Sequence, residues 1–449
     1  MEQLTVTYAQ TLFRLAGEAP PDVAREAARR SLLNVLGTAI GASREAAVDK
    51  VVAFALRHGG SPLVPVLGRP ERLDVLGAAV ANGVAAHLDD FDDTHLSTVI
   101  HPGAATLAAG LSAGVLRDVD GERFLRAFAL GCEAQLRVGV AMSPEHYDDG
   151  WHITGTCAPL GAAVTAGVLL GLDAQRLTHA LGLAASQTLG QREGFGSMVK
   201  PFHAGKGASN GLLAALLAER GFTAPTDALE DPRGYFAVLS PNGSRPESIL
   251  DGLGSRWELE SNAFKPYPCG VVTHPVIDAA VELSSSIDGP DQVTEIIATV
   301  HPLVPELTGN MAPETGLQAR FSTAHGLAVA LLDGRAGLEQ YRDARVNSED
   351  VRDLRAKVRY EVDSTAARDE ATVEVRLIDG SARREHVTHA RGSAQRPLTE
   401  ADLRDKVHGL VDPVLPGRAE ALFAAVDELE HAPSLHALAA ACTPEEGRS

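Results

Sequence analysis

Segments rich in alanine and leucine recur through the first 220 residues, with apolar positions at helical spacing and Gly, Pro or Asp between the segments. Aromatic residues make up only 4% of the chain although 45% of it is hydrophobic, so we expect close-packed helices lined by small side chains. This pattern predicts a mostly α fold. The predicted helices span 20–43, 51–58, 76–86, 104–116, 121–140, 159–170, 174–186 and 209–220.

The pattern of residues changes in the second half of the chain. Residues 293–302 carry β-branched side chains at the density of a strand, and residues 371–389 alternate like two strands joined by a tight turn. A helical segment at 317–332 is expected to cover one face of this sheet. Thr399 and Asp402 have the spacing of a capping box, which predicts a return to helices. We therefore predict a large all-helical domain, residues 1–262 and 398–449, and an inserted smaller α+β domain, residues 263–397.

Charge and cysteine content exclude several classes of protein. The net charge is −19 and no ten-residue window is strongly basic, so we expect no nucleic-acid partner. The four cysteines lie far apart without a CxxC pair, which indicates a reducing compartment and no structural zinc. The first residues resemble no signal peptide, and we found no stretch of about 18 apolar residues with membrane character. We expect a cytoplasmic protein without a membrane segment.

The residues that point to chemistry begin with the run His87–Gly103, which packs four carboxylates, three histidines and two threonines between apolar helical segments. A surface loop seldom needs so many groups that accept and donate protons, so this run predicts acid/base chemistry at a helix junction. Its Asp89-Asp90-Phe91-Asp92-Asp93 also satisfies DDxxD, the magnesium-diphosphate motif of helical terpene synthases. That alternative lacks a second acidic metal motif and an aromatic-lined cavity.

Lysines are the second indication of a site, since the chain has six lysines against 34 arginines. Lys200 and His203 lie in a glycine-rich approach to a helix, where an ammonium and backbone N–H groups suit a carboxylate or phosphate. This loop is not a Walker A element, because Gly207 follows Lys206 where that motif needs Ser or Thr. A tight helix connection is the simpler interpretation, but it leaves the cluster of cations unexplained.

A further basic segment opens the smaller predicted domain, where a Pro-x-Pro sequence holds Lys265 near His274. With Lys200 it would form a clamp for a small polyanion across the domain boundary. His152, between Trp151 and a predicted helix start, has the setting of an acid/base group.

Five motifs in this order resemble the MmgE/PrpD family. They are Asp90-Phe-Asp-Asp-Thr94, His101-Pro-Gly103, Trp151-His152, Lys200-Pro-Phe-His203-Ala-Gly205, and Lys265-Pro-Tyr-Pro268 with His274. The resemblance covers nearly the whole chain. It implies a helical domain with an α+β lid, a homodimer, no metal or organic cofactor, and a small anionic di- or tricarboxylate as the substrate. The family includes 2-methylcitrate dehydratase, cis-aconitate decarboxylase and iminodisuccinate epimerase.

The resemblance also implies an active site between the domains, at Asp90, Thr94, His101, His152, Lys200 and Lys265. In this scheme His101 or His152 removes a proton next to a carboxylate, the lysines stabilise the enediolate, and Asp90 orients an imidazole. Thr94 would bind a substrate carboxylate, with His203, His274 and Arg192 as further substrate-binding candidates. His325 stands where cis-aconitate decarboxylases carry a tyrosine, so it is expected in the site with an altered chemistry.

The reaction itself stays open among the family's chemistries. We expect a hydro-lyase acting on a 2-methylcitrate-like acid first. Epimerisation comes next, because the segment 191–200 and the second histidine, His95, look nearer the epimerase-like branch. Decarboxylation is third. A catalytically inactive carboxylate-binding subunit is the alternative from another class, and it is disfavoured because nearly all acid/base positions are present.

Overall fold

The structure is a computed structural model that describes residues 3–287 and 289–445. Helices dominate it. They are α1 Leu4–Ala16, α2 Asp22–Gly41, α3 Ala46–His58, α4 Val75–Leu88, α5 Pro102–Arg117, α6 Gly121–Met142, α7 Glu145–Asp148, α8 Ile153–Leu170, α9 Ala174–Ala185, α10 Val199–Glu219, α11 Tyr235–Leu239, α12 His274–Ser284, α13 Leu303–Thr308, α14 Gly316–Ala319, α15 Thr323–Asp333, α16 Asp343–Val346, α17 Glu349–Arg355, α18 Glu400–Val411, α19 Ala419–Asp427 and α20 His436–Ala441.

Strands are few and form three small sheets among the described residues. They are β1 Val64–Pro65, β2 Arg72–Leu73, β3 Asp93–His95, β4 Asn262–Phe264, β5 Val293–Val300, β6 Val358–Val362, β7 Ala371–Leu377 and β8 Ala382–Val387. The largest sheet has the order β6-β5-β7-β8, in which β5 runs parallel to β6 and antiparallel to β7. The short pair β3-β4 matters most for the site, because it joins distant parts of the chain.

Two hydrophobic clusters underlie this architecture. The larger one draws its buried residues from Leu4 to Phe264 and again from Leu398 to Cys442, and alanines fill much of it. The smaller one lies between Tyr267 and Val387, where α12 and α15 pack together and α12 covers β7 and β8. A mostly α fold with a smaller α+β region was predicted from the sequence, and the structure confirms that class.

Helix α10 differs most from its predicted extent, because it begins at Val199 rather than at residue 209. Its glycines disfavour a helix by propensity alone, but they let α10 lie directly against α4 and α8. A Cβ atom at Gly205 would collide with the Val80 carbonyl of α4, and one at Gly211 would collide with the Pro159 carbonyl of α8. Tertiary packing therefore extends the helix, and Lys200 lies in its first turn.

The helix predicted over 317–332 is interrupted in the structure, where α14 ends at Ala319 and α15 begins at Thr323. The side chain of Ser322 accepts a hydrogen bond from the His325 backbone N–H and so begins the new helix. The capping box predicted at Thr399 is present, since Thr399 and Asp402 each accept the other's backbone N–H.

Contrary to the expectation from the sequence, one helix has the length and apolar composition of a membrane span. Ile153–Leu170 is long and apolar enough to cross a membrane by length and composition, but 89% of it is buried inside the protein. It packs between α5, α6 and α10, so its apolar surface is already covered by other helices. Its composition is that of a central core helix.

Candidate active site

Helix starts and one short strand pair bring the site together. His101 and His152 are the residues that immediately precede α5 and α8, and Lys200 lies in the first turn of α10. Strand β3 pairs with β4, so Thr94 faces Ala263 and the chain then delivers Lys265 to the same place. These segments surround a cavity of about 470 Å³, within the range typical of small-molecule sites.

Asp90 is the centre of charge in this cavity. Its Oδ1 accepts hydrogen bonds from the ammonium groups of Lys200 at 2.7 Å and of Lys265 at 2.8 Å. Burial alone would raise the pKa of Asp90, but the two lysines outweigh it and hold that pKa well below the ordinary value. The two ammonium groups therefore share one directly bonded carboxylate.

Asp92 and Thr94 surround one nitrogen of His101. Nδ1 of His101 lies 3.2 Å from the hydroxyl of Thr94 in a hydrogen bond and 3.1 Å from Oδ1 of Asp92 in an ion-pair contact. The other ring nitrogen, Nε2, lies 3.7 Å from Oδ1 of Asp90, beyond hydrogen-bond distance. Among the described residues Nε2 therefore has no hydrogen-bond partner, and His101 lines the cavity.

His87 connects this group to Lys200. It is fully buried, and its Nδ1 lies 2.8 Å from Oδ2 of Asp92 while its Nε2 lies 3.2 Å from Nζ of Lys200. Its ring packs edge-on against His101, with 4.5 Å between the centroids. Lys200, His87, Asp92 and His101 thus form a continuous chain of polar contacts.

His152 forms a second imidazole pair on the opposite side of His87. Its Nδ1 shares a hydrogen bond of 2.9 Å with Nδ1 of His203, one turn beyond Lys200 on α10. Its Nε2 is buried and has no partner in the described part of the chain. The rings of His87 and His152 stack with 5.6 Å between their centroids.

These imidazoles are held in the neutral form. Burial lowers the pKa of His101 to about 3, and burial with the charge of Lys200 holds that of His152 well below its ordinary value. Both residues also stand at the positive end of a helix dipole, which opposes an added proton. A neutral imidazole accepts a proton, so the site has two candidate bases beside two ammonium groups.

The smaller α+β region closes the cavity from the other side. His274, the first residue of α12, lines it, and Nε2 of His274 lies 3.3 Å from the carbonyl oxygen of Cys269. Arg320 fixes this side to the acidic run through a buried ion pair of 2.7 Å with Asp89. The same guanidinium donates to the backbone carbonyl of Asp89, so two bonds hold the junction.

Lys406 supports the site from behind. It belongs to α18, and its ammonium donates to the backbone carbonyls of Phe91 at 2.7 Å and Lys265 at 2.9 Å, and to the side chain of Asn34 at 2.8 Å. It thereby fixes the two segments that carry the Asp90–Lys265 pair. Although burial lowers its pKa well below the ordinary value, three acceptor oxygens match the three hydrogens of an ammonium.

Comparison with known proteins identifies the family. The chain matches the MmgE/PrpD N-terminal domain over residues 7–247 and the MmgE/PrpD C-terminal domain over residues 267–431. The chain belongs to the MmgE/PrpD family. The resemblance of the five motifs is thereby confirmed.

Several curated relatives of this MmgE/PrpD protein are named cis-aconitate decarboxylase. The mouse protein is 28% identical over 422 residues, covering 90% of this chain and 86% of the relative. The human protein is 26% identical and covers 96% of this chain and 92% of the relative. The protein from Aspergillus terreus is 28% identical and covers 77% of this chain and 75% of the relative. The comparisons therefore support an enzyme, with a lyase among its relatives.

The structure brings most of the predicted site residues of this MmgE/PrpD chain to one cavity. The residues that line it are Asp90, Thr94, His101, His152, Lys200, Lys265 and His274. His203 lies immediately behind His152 and reaches the cavity through that imidazole. Asp90 was expected to orient an imidazole, but it pairs with the lysines, and Asp92 is the carboxylate at Nδ1 of His101.

Arg192 and His325 lie outside the cavity lining. Arg192 donates to the Tyr147 carbonyl and pairs with Glu306 at 2.7 Å, so its guanidinium is engaged one layer behind the wall. His325 is fully buried in the smaller hydrophobic region, where its Nε2 lies 2.9 Å from the carbonyl oxygen of Gln340. His325 lies in the first turn of α15, which Ser322 begins, and the sequence motifs did not reveal that its side chain is buried there.

His87, Asp92 and Lys406 are polar residues of the site that sequence reasoning missed. His87 and Asp92 lie inside the acidic run, but their separation of five residues gave no indication that their side chains meet. Lys406 lies more than 300 residues beyond the acidic run. Only its rarity as one of six lysines could have drawn attention to it.

Three residues of the site, His87, Asp92 and His101, have the spacing of metal ligands. Ligand atoms of His87, Asp92 and His101 lie within 4.8 Å of one another, a separation that a metal ion can bridge. Both imidazoles, however, already contact Asp92 through Nδ1, and the ammonium of Lys200 touches His87. A metal ion there would displace the contacts of both imidazoles with Asp92, and the ammonium of Lys200 would repel it. We therefore assign no metal.

Proposed function

We propose that this MmgE/PrpD protein is a cofactor-independent lyase that removes a proton next to a carboxylate of a small di- or tricarboxylate. The reaction proposed first is loss of water from a 2-methylcitrate-like hydroxy acid. One observation carries the proposal: His101 presents an unpartnered Nε2 beside the ammonium groups of Lys200 and Lys265. A neutral base next to fixed positive charge suits proton abstraction from a weak carbon acid.

The charge of the cavity supports an anionic substrate. Lys200 and Lys265 share the single carboxylate of Asp90, and all three groups are buried. A substrate carboxylate would bring a further negative charge to the two ammonium groups. Ion pairs of this kind are strengthened where water is excluded.

The proposed reaction divides the work between these groups. His101 takes the α-proton on Nε2, and the electron pair of the broken C–H bond moves into the adjacent carboxylate to give an enediolate. Lys200 and Lys265 stabilise that charge as it develops. When the electron pair returns and expels the β-hydroxyl, a lysine ammonium supplies the proton that makes water the leaving group.

Decarboxylation of cis-aconitate is the second candidate, because several relatives that cover most of this chain are named for it. In that reaction CO₂ leaves first, and the carbanion then needs a proton. The same lysines would stabilise the carbanion, and an ammonium or a protonated imidazole would deliver the proton. In the free protein the lowered pKa values of His101 and His152 keep both imidazoles neutral, so neither carries the extra proton that the carbanion would need.

A substrate panel distinguishes these reactions. Purified protein is incubated in D₂O with 2-methylcitrate, citrate, cis-aconitate and iminodisuccinate, and each mixture is followed by proton NMR. The proposal expects the signals of an unsaturated acid from the hydroxy acid without CO₂ release. These are a vinyl proton where a CH₂ carbon loses the proton, and a methyl singlet where the methyl-bearing carbon loses it. CO₂ from cis-aconitate would establish the second candidate, and deuterium exchange at the α carbon with an unchanged skeleton would establish an epimerase. No reaction with any of the four acids would overturn the proposed substrate class.

The panel needs a control for damage to the fold. His146 is a buried histidine outside the cavity, with Nδ1 2.8 Å from the Leu239 carbonyl oxygen and Nε2 2.8 Å from the hydroxyl of Thr156. His146→Gln removes an imidazole of similar burial and should keep most of the turnover, whereas His101→Gln should lose about 10²–10⁴-fold. Equal turnover in both variants would remove His101 from the mechanism.

A further inference from the structure

We infer that His87 and Asp92 are positioning residues that hold His101 in the tautomer with a free Nε2, so that His101 rather than His152 is the proton acceptor. This inference rests on the proposed function, which requires a base at the α carbon. It also settles on structural grounds which of the two candidate imidazoles accepts the proton. Neither His87 nor Asp92 was among the residues expected in the site.

The first step concerns Nδ1 of His101. If Nδ1 were unprotonated, its lone pair would lie 3.1 Å from the negative oxygen of Asp92, and the two would repel each other. If Nδ1 carries the proton, the hydroxyl oxygen of Thr94 accepts it in a hydrogen bond and the nearby negative oxygen of Asp92 attracts it. The Thr94 hydroxyl remains free to donate its own hydrogen to the Asp92 backbone carbonyl at 3.5 Å. The protonated Nδ1 is therefore favoured, and it leaves Nε2 as a lone pair.

The second step explains why Asp92 holds its charge. It is fully buried, which by itself would raise its pKa, but the neighbouring His101 and His87 hold that pKa well below the ordinary value. His87 contributes a definite hydrogen bond, because its Nδ1 lies 2.8 Å from Oδ2. Each oxygen of the carboxylate thus faces one imidazole, and rotation of Asp92 would break both contacts.

The third step concerns the tautomer of His87. An ammonium only donates, so the contact of 3.2 Å from Lys200 requires Nε2 of His87 to accept. Its Nδ1 must then carry the hydrogen and donate it to Asp92. Lys200 therefore selects the His87 tautomer, His87 fixes Asp92, and Asp92 selects the His101 tautomer. The donors and acceptors from Lys200 through His87 to Oδ2 of Asp92 match without a rotated ring, and the last link, from Oδ1 of Asp92 to His101, is electrostatic.

The groups that face His87 agree with this assignment. They are Asp92 and Asp90 from the acidic run, Lys200 from α10, His101 before α5 and His152 before α8. Burial is the largest influence and lowers the pKa of His87, so it stays a neutral imidazole. A neutral ring with one donor and one acceptor is what the contacts to Asp92 and Lys200 require.

His152 lacks such a device. Its Nδ1 meets the Nδ1 of His203, another buried imidazole, and either nitrogen can be the donor. In the described residues no carboxylate hydrogen-bonds to it, so its tautomer is not set by charge. Nε2 of His152 is therefore not fixed as a proton acceptor, whereas that of His101 is.

Activity measurements test the roles of the pair. Asp92→Asn places an amide at His101 that can donate to Nδ1, and His87→Gln removes the imidazole that fixes Asp92. The inference expects kcat to fall by about 10²–10⁴-fold in Asp92→Asn and less in His87→Gln, with little change in KM. His146→Gln is the control. A kcat near that of the control in both variants, or a loss confined to KM, would overturn the inference.

Tautomers measured directly give a readout that needs no substrate. The protein is labelled with ¹⁵N-histidine, and long-range ¹H–¹⁵N correlation spectra show which ring nitrogen is protonated; His101→Asn identifies the His101 signals. The inference expects Nδ1–H with a free Nε2 in the wild type and a changed tautomer in Asp92→Asn. Nε2–H in the wild type would refute it. If the tautomer is as expected while the substrate panel is silent, the proposed function has failed and the positioning pair stands.

Discussion

Removing the charge of Asp90 should change how the site binds anions as a function of pH. Asp90→Asn keeps the size of the side chain. It also suits the backbone there, since Asp90 has a φ of 49° and asparagine tolerates that left-handed region. What the substitution removes is the carboxylate that Lys200 and Lys265 share. Two buried ammonium groups then face each other without a counter-ion.

The magnitude follows from the distances. Both Nζ atoms lie within 2.8 Å of one oxygen, so they are at most about 5.5 Å apart. At an effective dielectric constant of about 20 they repel by about 3 kcal/mol, and in the variant the shared carboxylate no longer offsets this repulsion. Burial already lowers the pKa of Lys200 from its ordinary 10.5, and the charge of Asp90 is the largest influence that opposes it. The variant should therefore lose a lysine proton at a lower pH than the wild type.

The sign of the effect is fixed by the lysine. An ammonium is present below its pKa and is lost as the pH rises through it. Asp90→Asn should therefore bind a tricarboxylate at least as tightly as the wild type at pH 6, because the site has gained positive charge. As the pH rises it should lose affinity at a lower pH than the wild type does. The decline would mark deprotonation of the first lysine.

Calorimetry with tricarballylate, which has neither a hydroxyl nor a double bond to react, measures this affinity across the pH range. Asp369→Asn is the matched control, because Asp369 lines the cavity but pairs with His389 and not with a lysine. It should follow the pH dependence of the wild type. If Asp90→Asn also follows it from pH 6 to 9, the shared ion pair does not control anion binding.

Three further predictions concern the surroundings of the site. Lys406→Met should lower the urea midpoint of unfolding and raise KM, since it releases the backbone at Phe91 and Lys265. Lys357→Met is its control, because it removes a lysine bound to two carbonyls of the smaller region and should lower only the midpoint. Arg320→Met should cost about 3–5 kcal/mol of stability, read as a lower urea midpoint, because it leaves Asp89 buried and unpaired. A midpoint equal to that of the wild type would contradict that reasoning. Dialysis against EDTA should leave activity unchanged, and a loss restored by a divalent ion would place a metal at His87, Asp92 and His101.

The fold class was predictable because the helical pattern is strong and the packing is simple. Apolar residues at helical spacing identified α2, α4 and α5 to within a few residues. The start of α10 was missed, since Gly205 and Gly207 argue against a helix until the close approach of α4 and α8 is known. A local pattern cannot show that another helix requires a glycine.

The residues of the site were predictable in part, but their pairings were not. Histidines and lysines in motifs led to His101, His152 and Lys200, which meet at one cavity. The sequence did not show which carboxylate contacts which histidine or lysine. Asp90 and Asp92 are two residues apart, and the directions of their side chains depend on the turn between α4 and β3. Lys406 was invisible for another reason, since a lysine distant in sequence reveals its partners only in three dimensions.

The central claim is that His101 removes a proton from the carbon next to a carboxylate, and α-deuterated substrate tests it most directly. The hydroxy acid that the panel identifies is prepared with deuterium at that carbon, and kcat/KM is compared with that of the protonated acid in the wild type and in His101→Gln. The account predicts a primary isotope effect in the wild type and turnover reduced about 10²–10⁴-fold in the variant. Turnover of His101→Gln at the wild-type rate, with no isotope effect in the wild type, would contradict it.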